Sequence, residues 1–193
     1  MPPKKRKSKR PRLSQRDFAR LKRAQELRLG PQKARIMEWK ALHGKKLVEF
    51  SKQLPEKMKK HVYEMVDGRI DPDISEEVRL CSFAKKNKRE REVSKIFGLL
   101  IVDHPLKEIR YEASFGLYRI AGREDIPALK QALKDPWWRV RKNAAWAFLR
   151  FGTLNDLPLL EANAKNDYGA VRKMAAEVIS QIQKIPDPKK RWI

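Results

Sequence analysis

The chain has 193 residues, of which 36% are charged, and its 46 lysines and arginines against 24 acids give a formal net charge of +22. The length allows one domain plus an extension, and the positive excess favours a polyanionic partner, either nucleic acid or an anionic membrane. No run approaches ~18 consecutive apolar residues, which argues against a membrane-spanning helix, and the basic start lacks the apolar stretch of a secretory signal. A single cysteine, Cys81, cannot form an internal disulfide, so we expect a soluble intracellular protein in which this thiol is a small packing group.

The first residues, MPPKKRKSKRPR, form a basic run without an acid. Residues 1–60 contain 21 cations and five acids, a net of +16, whereas the rest of the chain contains 25 and 19, a net of +6. Most of the excess charge therefore lies in the first third, and we predict a basic extended arm at residues 1–13. The predicted nucleic-acid-binding residues are Lys4, Lys5, Arg6, Lys7, Lys9, Arg10, Arg12, Arg16, Arg20, Lys22, Arg23, Arg28, Lys33 and Arg35.

Residues 14–54 are predicted to form a basic helical anchor that also serves as an N-terminal cap. Ser14 followed by Asp17 is typical of a helix start, and Gly30-Pro31 is a strong helix stop. A second helix follows, and its apolar face would cover the open end of the domain behind it. That face consists of Ile36, Trp39, Leu42, Leu47 and Phe50.

The remaining chain contains an internal repeat. Four segments align when the sequence is shifted by 31 residues: EEVRLCSFAKK, KEIRYEASFGLYRIAG, WRVRKNAAWAFLRFGT and GAVRKMAAEVISQIQK. Each has an apolar residue followed by arginine and, three positions later, a small residue, which is Ser82, Ala113, Ala144 or Ala175. Because the apolar residues recur at helical spacing, each segment is predicted to be a helix whose small residue lets neighbouring helices approach closely.

A partner helix is predicted before each of these helices. Asp-x-Pro sequences at residues 125–127 and 156–158 offer an aspartate N-cap with proline in the first turn. Gly122 and Gly152 precede them, where a left-handed C-cap of the previous helix would sit. Two antiparallel helices in ~31 residues are too short to bury their own apolar face, so the units must stack on one another.

The DPWWRVRKNAA run at residues 135–145 and its repeats resemble the short HEAT-like repeats named after the phycobilisome lyases, over about residues 55–184. The resemblance implies an all-α fold, a short α-solenoid of about four HEAT-like helix pairs with a 31-residue period. The basic arm and one or two basic helices would precede it, and residues 185–193 would form a C-terminal tail. Since this repeat serves as scaffold, enzyme and binder alike, the resemblance says little about function.

The resemblance also implies that the recurring arginines pair with aspartates of adjacent units and thereby fix the stacking. We interpret these arginines as a structural ladder rather than as phosphate ligands. The ladder consists of Arg79, Arg110, Arg141 and Arg172 together with Asp103, Asp135 and Asp167.

The second helix of each unit would, by the same resemblance, line the concave side of the solenoid. In the third unit this helix has cationic and aromatic residues at a spacing of three to four, which suits a nucleic acid strand. The equivalent helices of the neighbouring units make the groove mixed in charge, so it is equally suited to a protein segment. We expect Trp146 to pack between helices, and the Trp137-Trp138 turn to contact protein or RNA. The predicted concave-face or turn contacts are Trp137, Trp138, Arg139, Lys142, Trp146 and Arg150.

Candidate catalytic residues are few. His43, His61 and His104 occur in unrelated places without a second ligand at metal-binding spacing. The sequence has no glycine-rich phosphate loop, nucleophile elbow or Cys–His pair. We therefore expect no catalytic site, no bound metal and no cofactor.

Together these observations predict a non-enzymatic RNA-binding protein that is anchored through its basic N-terminal region to ribosomal or other structured RNA. Its place would be a ribosome or another ribonucleoprotein in the cytoplasm, with the solenoid packing on RNA or neighbouring proteins, and no membrane partner is expected. One alternative is a DNA- or chromatin-associated HEAT-repeat protein that uses the same electrostatics. The other is a protein-binding scaffold in which the Pro-Lys-Lys-Arg-Lys run acts as a nuclear import tag.

Overall fold

The computed structural model describes residues 19–20, 23–24, 27, 29–69 and 76–191. The predicted arm at residues 1–13 lies outside these residues. The described part of the chain contains helices and no strands, and none of its helices is long and apolar enough to cross a lipid bilayer. The helices are α1 (Lys33–Ser51), α2 (Glu56–Val66), α3 (Glu76–Asn87), α4 (Glu90–Asp103), α5 (Lys107–Ile120), α6 (Ile126–Ala132), α7 (Trp138–Phe151), α8 (Leu157–Asn166) and α9 (Gly169–Lys184), with short 3₁₀ turns at Gly30–Gln32, Arg123–Asp125, Leu154–Asp156 and Pro188–Lys190.

Helices α2 to α9 form four successive pairs, α2–α3, α4–α5, α6–α7 and α8–α9. The second helices of the pairs lie side by side, with α5 between α3 and α7, and α7 between α5 and α9. Helix α4 packs on α6 in the layer of first helices. Each pair thus covers its apolar face with the next pair, as a solenoid requires. The prediction of an all-α solenoid of about four helix pairs is confirmed.

The repeated small residues allow close packing in the last three units. Ala113, Ala144 and Ala175 are all fully buried. The first unit differs, because Ser82 is exposed and Cys81 is buried in its place. Burial raises the pKa of the Cys81 thiol, which keeps it a neutral packing group. The first copy of the repeat is therefore a helix that turns a different face to the core.

The glycines after the second and third units are not left-handed caps, so that prediction is wrong. Gly122 has φ −115° and Gly152 has φ −59°, values that other residues also adopt. At Gly152 the requirement is space, because a Cβ atom there would lie 2.5 Å from the carbonyl oxygen of Phe148. The chain leaves α7 so close to the last turn of that helix that only glycine fits.

The aspartates before α6 and α8 act on the turn before them rather than on the helix after them. The Asp125 carboxylate accepts a hydrogen bond from the backbone N–H of Gly122 at 2.9 Å. Asp156 accepts from both the backbone N–H and the hydroxyl of Thr153, at 2.8 and 2.9 Å. Each aspartate therefore closes the 3₁₀ turn that links one unit to the next, while proline occupies the first turn of the helix as predicted.

Helix α1 packs mainly against α4. Ile36, Trp39 and Leu47 are buried in this contact layer, whereas Leu42 is 77% exposed, which corrects its assignment to the apolar face. The indole N–H of Trp39 donates to Asp103 at 2.8 Å. The basic helix is thus attached at the end of α4, beside the turn that leads into α5.

A fully buried histidine lies in that turn. His104 Nε2 is 3.0 Å from the carbonyl oxygen of Val66, and its Nδ1 accepts a hydrogen bond from the backbone N–H of Leu106 at 3.3 Å. This arrangement matches a neutral imidazole with the proton on Nε2. Burial lowers the pKa of His104 to about 4. The imidazole is therefore a structural group that joins α2 to the α4–α5 turn.

Candidate nucleic-acid interface

Two arginine–aspartate pairs join successive units. Arg110 donates two hydrogen bonds to the carboxylate of Asp135, from Nε at 2.6 Å and from Nη2 at 3.3 Å. Arg141 binds Asp167 in the same bidentate manner, with Nε at 2.7 Å. Each arginine also donates to a backbone carbonyl of the turn before its own helix, at 2.8 Å for Arg110 and 2.6 Å for Arg141. The charged groups of these pairs therefore lie between units and are largely shielded from solvent.

The ionisation of the second pair responds to this contact. Burial raises the pKa of Asp167, but hydrogen bonds from Arg141, Asn163 and the backbone of Tyr168 outweigh it, so the pKa lies below its ordinary value. The hydrogen bond to Asp167 raises the pKa of Arg141. Both partners are therefore charged at neutral pH.

The outer positions of the ladder are arranged differently. Asp103 accepts from Trp39 and lies 3.1 Å from His43 Nε2, so it holds α1 instead of joining two repeat units, which differs from the expected pairing. Arg79 Nε lies 3.9 Å from a glutamate of its own helix. Arg172 is exposed. Among the predicted ladder residues, the two central pairs thus form bidentate arginine–aspartate contacts between units.

The aspartates of those pairs also position the residues in front of the second helices. Asp135 Oδ1 accepts from the backbone N–H of Trp137 at 2.7 Å, and Asp167 Oδ1 accepts from that of Tyr168 at 2.6 Å. Trp137 and Tyr168 are the N-cap residues of α7 and α9. The ladder therefore fixes the backbone positions from which these two aromatic side chains project.

Aromatic and cationic side chains from three successive units meet at the N-terminal ends of α5, α7 and α9. The ring centroids of Tyr111 and Trp137 are 5.5 Å apart, and those of Trp138 and Tyr168 are 4.9 Å apart. Between the two ring pairs, the Arg139 guanidinium lies 5.5 Å from the ring centroids of both tryptophans. We call this row the aromatic edge, and it consists of Lys107, Tyr111, Trp137, Trp138, Arg139 and Tyr168.

The aromatic edge is open to solvent and rich in cations. Tyr168 is 58% exposed, Lys107 and Arg139 are exposed, and the two tryptophans and Tyr111 are half-buried. Lys107 Nζ lies 5.4 Å from the ring centroid of Trp137. The first two turns of α7 and α9 add three further cations, Lys142, Arg172 and Lys173. The aspartates in front of these helices are already paired with arginines. These aspartates therefore do not neutralise the three added cations.

The predicted concave stripe of α7 is largely used inside the solenoid. Trp146 stacks on Tyr118, with ring centroids 3.9 Å apart and 18° between the ring planes. Arg150 donates to the backbone carbonyl of Arg119 at 2.6 Å, and burial lowers its pKa. Asn143 is buried and donates to a serine hydroxyl of α5 at 3.0 Å. Of the six predicted contacts, Trp137, Trp138 and Arg139 thus belong to the aromatic edge, Lys142 lies next to it, and Trp146 and Arg150 pack against α5.

The predicted nucleic-acid-binding residues of the N-terminal third fall into two groups. Arg20, Arg23, Lys33 and Arg35 are among the described residues, and all four are exposed. The others lie outside the described residues: Lys4, Lys5, Arg6, Lys7, Lys9, Arg10, Arg12, Arg16, Lys22 and Arg28.

Sequence reasoning missed three members of the aromatic edge, Lys107, Tyr111 and Tyr168. The repeat itself contained a signal for one of them, because Tyr168 comes 31 residues after Trp137 and occupies the equivalent N-cap position. Tyr111 and Lys107 have no such sequence signal, since their contact with Trp137 depends on how two units stack.

Sequence reasoning also missed a polar cluster at the start of the solenoid. No second ligand at metal-binding spacing was expected for any histidine, yet His61 lies beside two glutamates. Its Nδ1 lies 2.5 Å from Glu76 Oε2 and 3.5 Å from Glu64 Oε2. Glu64 follows His61 by three residues on α2, and Glu76 is the first residue of α3. The cluster therefore forms where these two helices meet.

Residues 97–180 match the family model of HEAT repeats. The matched part includes α5 to α8 with most of α9 and the end of α4, and it supports a HEAT-like repeat there. The match does not distinguish the short phycobilisome-lyase type, so that finer assignment stays a prediction. No curated protein and no solved structure gives a significant match. For function, the match indicates at most a scaffold for binding proteins.

Proposed function

We propose that the protein binds RNA without catalysing a reaction, holding unpaired bases on the aromatic edge and phosphates on its basic N-terminal region. The observation that carries this proposal is the aromatic edge, in which Arg139 lies between two pairs of aromatic rings drawn from three successive units. Aromatic faces beside cations are the combination that single-stranded nucleic acid binding uses.

Stacking on this edge would cost little side-chain entropy. The backbone of Trp137 and of Tyr168 is held by aspartates that the ladder arginines hold in turn. The rings are therefore placed before a ligand arrives, and each stacked base adds about 1–3 kcal/mol, as measured by alanine substitution in other proteins. Because every base has a flat face, the edge would tolerate many sequences.

The N-terminal region would supply most of the electrostatic affinity. The first 12 residues contain seven cations and no acid. When fully extended they reach about 40 Å, which is enough to follow a groove. Neutralising about seven phosphates of a single strand corresponds to a slope near −5 in a plot of log affinity against log salt.

RNA fits both surfaces better than duplex DNA does. Stacking needs unpaired bases, and folded RNA offers them in loops and bulges beside dense phosphate charge. A ribosome or another ribonucleoprotein would present both features at once, so we place the protein there. The prediction is that the protein co-sediments with ribosomes at low salt and leaves them at high salt.

The decisive experiment compares two tryptophans. Trp138→Ala should weaken binding of a fluorescein-labelled RNA hairpin with an unpaired loop about tenfold in fluorescence anisotropy, since one stacked base is lost. Trp146→Ala is the matched control, because that ring stacks on Tyr118 away from the edge. Equal affinities for wild type and Trp138→Ala, or equal losses in both variants, would contradict the role of the edge.

A salt titration separates the arm from the edge. Replacing the seven cations of residues 4–12 by glutamine should reduce the slope by about 5, whereas Trp138→Ala should leave the slope unchanged. Duplex DNA of equal length serves as competitor. If it displaces the RNA hairpin as well as unlabelled hairpin does, the DNA-binding alternative is correct instead.

A further inference from the structure

We propose that His61, Glu64 and Glu76 bind a Zn²⁺ ion that ties helix α2 to helix α3 at the start of the solenoid. This site is remote from the aromatic edge in the chain, and it does not depend on RNA binding. It rests on the geometry of three groups whose possible ligand atoms lie close together.

The first argument is the set of ligand types and their separation. One imidazole nitrogen and two carboxylate oxygens lie within 4.8 Å of one another. Ligand atoms around a tetrahedral zinc ion, at about 2.0–2.2 Å from the metal, are separated by about 3.3 Å. The observed distances from His61 Nδ1 to the two glutamates, 2.5 and 3.5 Å, bracket that value. Small side-chain rotations would therefore complete the three protein ligands of a zinc site.

The second argument is the short contact between the closest two of these atoms. The Glu76 side chain is only 5% exposed, and its Oε2 lies 2.5 Å from His61 Nδ1, but the contact does not have the geometry of a hydrogen bond and neither atom has another hydrogen-bond partner. Two buried atoms that both present lone pairs repel each other at this distance unless a proton or a metal ion lies between them. A zinc ion supplies that positive charge and accepts both lone pairs.

Two protein cations flank the cluster. Lys60 Nζ lies 3.8 Å from the Glu64 carboxylate, and Arg79 Nε lies 3.9 Å from Glu76 Oε2. Lys60 faces Oε1 of Glu64, so this carboxylate can bind a metal through Oε2 and still face the ammonium group through its other oxygen. Lys60 thus fits the role of a second partner that orients the Glu64 carboxylate, whereas Arg79 lies near the Glu76 oxygen that also faces His61.

The site would stabilise the least regular part of the solenoid. In the first repeat copy Cys81 is buried where the other copies bury alanine, and Ser82 is exposed. A metal bridge between α2 and α3 would add a second tie within this unit. Metal binding that favours the folded state raises the melting temperature by mass action.

The test uses the full chain after treatment with EDTA and dialysis. Wild type should take up one equivalent of Zn²⁺, measured by elemental analysis, and its melting temperature should rise by about 5 °C at zinc 100-fold above the dissociation constant. His61→Asn and Glu76→Gln should each weaken zinc binding at least about tenfold and abolish this rise. His43→Asn is the matched control, because that histidine faces a single carboxylate, and it should bind zinc like wild type.

Glu64→Gln keeps the proposal testable if the variants at the buried positions do not fold, since the Glu64 side chain is 24% exposed and its loss should also weaken binding. Mg²⁺ at the same concentration should give no rise, because that ion avoids nitrogen ligands. The proposal is overturned if wild type binds no zinc, which would mean that a proton alone bridges His61 and Glu76. It is also overturned if His61→Asn or Glu64→Gln binds zinc as wild type does, or if Mg²⁺ acts like Zn²⁺.

Discussion

Replacing His104 by glutamine should remove a specific part of the pH dependence of stability. The imidazole is fully buried, with Nε2 3.0 Å from the carbonyl oxygen of Val66. Burial lowers its pKa from the ordinary 6.5 to about 4. Glutamine keeps a hydrogen-bond donor toward Val66 and cannot take up a proton. The variant thus removes the titration and retains one of the two hydrogen bonds.

The sign follows from which state takes up the proton first. As the pH falls, the unfolded chain protonates this imidazole near pH 6.5, whereas the folded chain does so only near pH 4. The free energy of unfolding therefore decreases through this window, by about 2 kcal/mol between pH 7 and pH 5 and by about 3 kcal/mol in total. Burial also raises the pKa values of Glu76 and Asp125, so these two carboxyls make the free energy of unfolding increase as the pH falls. The quantity to compare is therefore the change in the free energy of unfolding with pH in wild type minus that in the variant.

The assay is urea denaturation at pH 7 and pH 5, at constant ionic strength, followed by circular dichroism. Wild type should lose about 2 kcal/mol more than His104→Gln between the two pH values. His104→Asn, which places its polar atoms near Nδ1 instead, should match His104→Gln in pH dependence even if its stability at pH 7 differs. Equal losses in wild type and both variants would refute the argument that the folded state keeps His104 neutral.

Two further pairs of variants test the packing. Gly152→Ala should lower the free energy of unfolding by about 1–3 kcal/mol, because its Cβ would lie 2.5 Å from the Phe148 carbonyl oxygen. Gly44→Ala on α1 should instead raise the free energy of unfolding by about 0.5–1 kcal/mol, because the space around its Cβ is open. Thermal unfolding of both would decide this, and a destabilised Gly44→Ala would be the contrary result. Arg141→Met should cost about 2–3 kcal/mol, because it leaves a largely buried aspartate unpaired, while Arg172→Met at an exposed ladder position should cost less than about 0.5 kcal/mol. Similar losses in these two would show that the cross-unit pair adds nothing.

The elements of the solenoid could be predicted because the relevant information is local and repeated. Ala113, Ala144 and Ala175 recur at 31 residues in helices with apolar residues at helical spacing, and the structure buries all three. Predictions at single positions were less successful. Gly152 is required by a close backbone approach and not by a left-handed φ, and Leu42 lies on the solvent side of α1. Such details depend on neighbouring units, which local patterns do not describe.

The candidate site was predicted in part. Trp137 and Trp138 were identified because two adjacent tryptophans in a turn are hard to bury together, and Arg139 because it begins a cationic and aromatic stripe along its helix. The structure added the rings that meet them. Trp146 stacks on Tyr118, in keeping with its expected packing between helices, whereas Arg150 lies in the packing of α5 and α7 and not on the binding surface. Whether an aromatic side chain faces solvent or a neighbouring helix depends on the rotation between successive units, and the spacing along one helix does not contain that rotation.

The amino-acid sequence by itself determined the charge distribution, the 31-residue repeat and therefore the stacked helix pairs, because each of these properties depends on residues close together in the chain. Only the tertiary structure decided which groups meet across units. In the structure Tyr111 and Tyr168 contact the tryptophans of the turn, Asp103 accepts a hydrogen bond from α1, and Glu76 lies against His61. The physical reason is that contacts between distant residues depend on helix rotation and superhelical stacking, and these are set by the summed packing of the whole core.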